Sequence, residues 1–192
     1  QYFAVLYAAK DRGPELLEKL IETMREQSQS MLDQGPISLG YRVGHIRNDG
    51  RAFRSILYNK AAVVLHMLRR YVGDDAFFAG IRRFYTEHRF NKAGTDQFQA
   101  AMEAASGAKL DRFFDQWIRG FRMPRVRLSS RMDADGKTGI IRVEQPEDPF
   151  DFPLTVVLQF ADGRTEERTL RIAGAAFEER VTTASPLRKV TI

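Results

Sequence analysis

The 192-residue chain contains no cysteine, which excludes disulfide frameworks and thiolate metal sites and leaves the redox compartment open. No apolar run approaches the ~20 residues needed to cross a bilayer, so no transmembrane segment is expected. Histidine is scarce: His45, His66 and His88 are 21 and 22 residues apart, never at the i, i+4 spacing that puts two metal ligands on one helix face. There is no G-x-S-x-G elbow and no glycine-rich phosphate loop. Asp74-Asp75 and Glu166-Glu167 are immediate neighbours whose side chains point in different directions, which suits them poorly to paired acid/base work. Charge of one sign is not concentrated either. The formal net charge is +5, but Arg and Lys are interleaved with Asp and Glu, as in EERTLR, so a mixed solvated surface is expected and no nucleic-acid partner. By themselves these residues contain no complete catalytic constellation.

What is present is organised around Ser55–Gly73, SILYNKAAVVLHMLRRYVG. Ile56, Leu57, Val63, Val64, Leu65, Met67, Leu68 and Tyr71 recur at helical spacing, and Gly73 supplies a stop, so one apolar helix in the middle of a domain is expected. Tyr58 and Lys60 open it, where core meets cleft. For Lys60 the expectation is a surface or helix-supporting cation, and for His66 a satisfied core or boundary histidine.

Around that helix, Gln1–Ala9 is almost wholly apolar or aromatic, which predicts a chain that begins inside a longer element. Pro14 opens a second helix predicted to reach about Gln34. Gly35–Arg54, with four glycines and an Asn-Asp-Gly signal, predicts a long irregular connection lining the same cleft as Tyr58. Asp74 and Thr95 are expected to cap two further helices, and LDRFFDQWIRGF to form the last. After Pro124 the period changes to two. RVRLSSR, TGIIRVEQ, FPLTVVLQF, TEERTLRI, AFEERVTT and LRKVTI read as strands, with hairpin turns at Asp133–Gly136 and Ala161–Arg164. The predicted fold class is α+β and multidomain: an all-helical domain over 1–124, then a small antiparallel β-sandwich over 125–192.

The run LYNKAAVVLHMLRRYVGDDAFFAGIRRFYTEHRF resembles the region that follows the metal site in zinc aminopeptidases of the membrane alanyl aminopeptidase (gluzincin) family. Tyr58 and Lys60 match that family's Tyr-x-Lys-Gly, with Ala61 in place of the glycine. The likeness continues through Thr95, Asp96 and Phe98 and through the Phe114, Trp117 and Pro124 spacing, although the family's glycine before that proline is Arg122 here. It implies that 1–124 is the back half of a thermolysin-like catalytic domain and 125–192 the sandwich that follows it. The family's zinc ligands would then align upstream of Gln1, so zinc is expected in an intact parent and no metal ligand within this chain. The implied parent activity is hydrolysis of peptide substrates at their N-termini, and Tyr58 is the implied catalytic residue. A phenol there would donate a hydrogen bond to the oxyanion of the tetrahedral intermediate. Two alternatives stay open: a non-catalytic aminopeptidase-like interaction scaffold, and a helical-plus-sandwich module binding a polyanion.

Overall fold

The computed structural model describes residues 1–192, with side chains for all but Ile46 and Arg47. The chain divides into two compact units, Gln1–Arg122 and Met123–Ile192. The architecture is α+β, a helical unit followed by an antiparallel β-sandwich.

In the helical unit, α1 (Tyr2–Arg12) and α2 (Pro14–Gln29) are separated by Gly13. The second helix stops earlier than its sequence pattern predicts, and Leu32–Gln34 form a separate 3₁₀ turn. The polar tail Gln27–Ser30 offers no apolar stripe to extend the helix against a neighbour.

The predicted irregular connection over 35–54 is instead mostly helical. It holds a 3₁₀ turn at Ile37–Leu39, α3 (Arg42–Arg47) and α4 (Gly50–Arg54). Its glycines and asparagine punctuate helices rather than abolish them: Gly40 and Asn48 take positive φ between the pieces, a conformation these residue types tolerate. Asp49 caps α4 by accepting from the Arg51 N–H at 2.8 Å. Val43, Ala52 and Ile56 then bury one side of this segment in a cluster with Met31, Ile37, Leu39 and Leu57 packed around it.

The central helix starts earlier than Ser55 and is not uniform. From α4 the chain runs without a break through a π-helical turn at Ser55–Lys60 into α5 (Ala61–Val72). Gly73, at φ 88°, ends it and opens α6 (Asp74–His88). Asp74 does not cap that helix as predicted. It lies inside the first turn, and its carboxylate accepts from the Arg69 Nε at 2.8 Å. Next comes α7 (Thr95–Ser106). Its cap is Gly94 rather than Thr95, with the Gln97 side chain reaching back to the Gly94 N–H at 2.9 Å. The last helix is again composite: α8 (Asp111–Phe114) passes into a second π-helical turn at Asp115–Arg119.

The second unit has six strands: β1 (Arg127–Met132), β2 (Thr138–Glu144), β3 (Phe152–Phe160), β4 (Thr165–Ile172), β5 (Ala176–Thr182) and β6 (Leu187–Thr191). They pair antiparallel in two three-stranded sheets ordered β1-β2-β5 and β4-β3-β6. Along β3 the alternate residues Phe152, Leu154, Val156, Leu158 and Phe160 are buried, the period-two pattern of a strand with one face in the core. The two sheets meet where the Leu187 N–H donates to Met132 Sδ at 3.2 Å.

Candidate functional site

The first π-turn gathers an unusual share of buried polarity. The buried polar side chains among the described residues are Ser28, Ser55, Asn59, Lys60, His66, Gln99 and Gln145. Three of these seven lie within Ser55–Lys60. Between Ser55 and Asn59 stands Tyr58, 46% exposed, its ring 5.9 Å from that of Phe53 on α4. A π-turn holds one residue more than an α-turn, is rare, and is frequent at functional sites. Here it presents one aromatic hydroxyl outward from a segment whose other polar groups point in.

Each buried polar group has a partner. On the α2 side, Gln27 accepts twice: Ser55 Oγ donates to its backbone carbonyl at 3.0 Å, and Asn59 Nδ2 to its Oε1 at 2.9 Å. From the opposite end, Lys60 Nζ donates to the Gly120 carbonyl at 3.2 Å. Lys60 is 4% exposed, not the surface cation that a lysine in sequence suggests. Burial pushes its ammonium down to about 8, because a charge in a poorly solvated site is disfavoured. The contact does support a helix end, since Gly120 closes the second π-turn.

The burial of Lys60 follows from the helix's phase. Ala52, Ile56, Lys60, Val64 and Leu68, every fourth residue, are all buried. In a pure α-helix such a row drifts by about 40° at each step, and the wider π-turn takes up part of that drift. Lys60 thus occupies the centre of a core row, and this row was the one signal in the sequence that could have revealed it. Gln27 was missed altogether, because a glutamine in a polar tail announces no tertiary role.

The histidines do not converge. His66 is buried, with Nδ1 3.2 Å from the Tyr2 hydroxyl. His45 packs edge-on to Tyr41 and His88 against Phe84. Among the described residues, no three His, Asp or Glu side chains come together to hold a metal ion, so the residues present do not form a zinc site. No helix among them is long and apolar enough to cross a membrane. Beside α5 lies an apolar cavity of about 270 Å³, lined among others by Ile37, Leu65, Leu68, Phe84 and Phe98.

The model of the peptidase family M1 domain matches residues 7–117, more than half of the chain. The chain belongs to peptidase family M1. This M1 chain is 28% identical over 161 residues to an aminopeptidase A of Gloydius brevicauda, a match covering 80% of it and 16% of that protein. It is 23% identical over 177 residues to a glutamyl aminopeptidase of Bos taurus, covering 88% of it and 18% of that protein. Among solved structures, it is similar in fold to the Legionella pneumophila aminopeptidase A in complex with aspartic acid. That likeness has a TM-score of 0.56 at 16% identity and covers 65% of this chain and 15% of that one. The M1 chain therefore spans less than a fifth of the length of these relatives. The matched range takes in both π-turns except for the last two residues of the second.

Proposed function

We propose that this chain serves as part of a zinc-dependent, aminopeptidase-like metallopeptidase that hydrolyses peptide substrates at their N-termini. In this reading 1–124 is the back half of the catalytic domain and 125–192 the sandwich that follows it. Tyr58 contributes the oxyanion-stabilising hydrogen bond. The zinc is held by residues outside this chain, and no residue here is assigned to it.

The observation that carries this reading is the setting of Tyr58: a half-exposed phenol on a π-turn, flanked by the buried and hydrogen-bonded Ser55, Asn59 and Lys60. As charge moves onto the carbonyl oxygen of the peptide under attack, the Tyr58 O–H donates to it. A donor fixed beforehand stabilises that charge without reorganising during the reaction. The same bond to the uncharged substrate carbonyl is weaker, so its effect falls mainly on the chemical step.

The test is Tyr58→Phe in a full-length protein carrying this segment. Turnover is expected to fall about 10²–10³-fold with KM little changed. Wild-type turnover in the variant would return Tyr58 to the role of a boundary aromatic and favour the interaction scaffold.

A further inference from the structure

We infer that Lys60 is a positioning residue for Tyr58, holding the π-turn that presents the phenol by tying it to the backbone carbonyl of Gly120. This rests on the proposed role of Tyr58 and extends it to a residue with no reach to the reacting atoms.

The π-turn is an intrinsically poor piece of helix and persists only where its surroundings hold it. Gln27 holds one side through Ser55 and Asn59, both within the turn. At the end of the turn, two residues past Tyr58, the side-chain tie found among the described residues is that of Lys60. Its ammonium meets one neutral acceptor, the Gly120 oxygen at 3.2 Å, and no carboxylate partners it among the described residues.

That arrangement is a poor choice for stability. A buried cation opposite a single carbonyl leaves most of its hydration unreplaced, and an apolar side chain of similar length would fill the same core row at lower cost. Helix phase requires only something long and buried at this position. The ammonium adds a directed bond to a particular atom. A group that weakens the fold while fixing the geometry beside a candidate donor is expected at a functional site rather than in a plain core.

The acceptor is prepared as carefully as the donor. A Cβ on Gly120 would lie 2.6 Å from the Gln116 carbonyl and 3.0 Å from that of Asp115, so only glycine lets the chain leave the second π-turn along this path. Trp117 and Ile118, both buried, anchor that turn. The support of Tyr58 thus runs from Trp117 and Ile118 through the Gly120 carbonyl to Lys60, and it joins the two π-turns of the unit.

A double-mutant cycle in the full-length enzyme tests this. Lys60→Met is expected to lower kcat by up to about 10²-fold, the cost of a donor displaced by an ångström or so, with KM nearly unchanged and thermal stability at pH 7 equal or higher. A residue serving only the fold would instead lower stability. Adding Lys60→Met to Tyr58→Phe is expected to cost nothing further, because the hydroxyl it positions is already gone. Gly120→Ala breaks the same bond from the other end, and a comparable fall in kcat is expected, which serves should Lys60→Met not fold. Full kcat in Lys60→Met beside a reduced Tyr58→Phe would overturn the inference and leave Tyr58 in place, as would additive losses in the double variant. Full kcat in Tyr58→Phe would remove the reading on which it rests, and the inference with it.

Discussion

The Tyr2 hydroxyl lies 3.2 Å from His66 Nδ1, joining α1 to the buried side of α5. Burial, helped by Arg70 and Arg69 and opposed by Asp74, holds the imidazole down to about 4. Neutral, it can accept the tyrosine's hydrogen bond. Protonated, it cannot.

An acid-sensitive stability follows. In the unfolded chain His66 takes up its proton near 6.5, whereas the folded form resists until about 4. As pH falls from 6.5 toward 4 the unfolded state alone binds that proton, and stability is lost over that window. His66→Gln keeps a polar partner for Tyr2 and removes the titration. Urea midpoints at pH 7 and pH 5 should differ less in the variant than in the wild type.

Lys60 predicts a slope of the same sign at alkaline pH. Its folded value of about 8 lies below the 10.5 of an unfolded lysine, so between these the unfolded chain holds a proton that the native state has released. Stability from this residue rises as pH increases through that range. The unfolding free energy of wild type should therefore rise relative to that of Lys60→Met from pH 7 to pH 10, and a constant difference would contradict the burial of the ammonium.

Side-chain truncation along α5 separates positions that look alike in sequence. Leu68 is fully buried, and Leu68→Ala should cost about 2–5 kcal/mol in denaturant unfolding. Leu65 borders the apolar cavity and is only half-buried, so Leu65→Ala should cost less. Tyr58→Phe removes one solvent-facing hydroxyl and should stay within about 0.5 kcal/mol of wild type.

In the sandwich, Gln145 closes a buried polar knot. Its Nε2 donates to the carbonyls of Phe150 and Gly174 at 2.8 and 2.9 Å, and its Oε1 accepts from the Phe150 N–H at 2.9 Å. Gln145→Leu preserves bulk but orphans buried backbone groups, each worth about 1–3 kcal/mol. Melting of the second unit should drop well below that seen for a surface change such as Thr155→Ser.

The strands were legible nearly to the residue because alternation is a strong signal between turns such as Asp133–Gly136. Family membership was legible as well, in Tyr58, Lys60 and the run that follows them. The short helices of 35–54 were not. Glycine-rich sequence conceals them, and their stability comes from burying Val43 and Ala52 against Ile56, a tertiary contact that local propensity does not contain. The π-turns were hidden for a related reason: apolar residues three and four apart satisfy an α-helix equally well, and only the partners of Ser55, Asn59 and Lys60 impose the wider turn.

The extra residue in that turn is one the flanking helices do not need for their own packing. Deleting one residue between Ser55 and Lys60 would let the segment relax into ordinary α-helix with the two flanks still nearly in phase, because seven α-helical residues span about two turns. Ala52 and Ile56 would keep a buried side in common with Val64 and Leu68, and the change would fall on how Tyr58, Asn59 and Lys60 are presented. A single-residue deletion here should therefore leave the helix folded while abolishing the setting of Tyr58, which separates the turn's role in presentation from any role in stability.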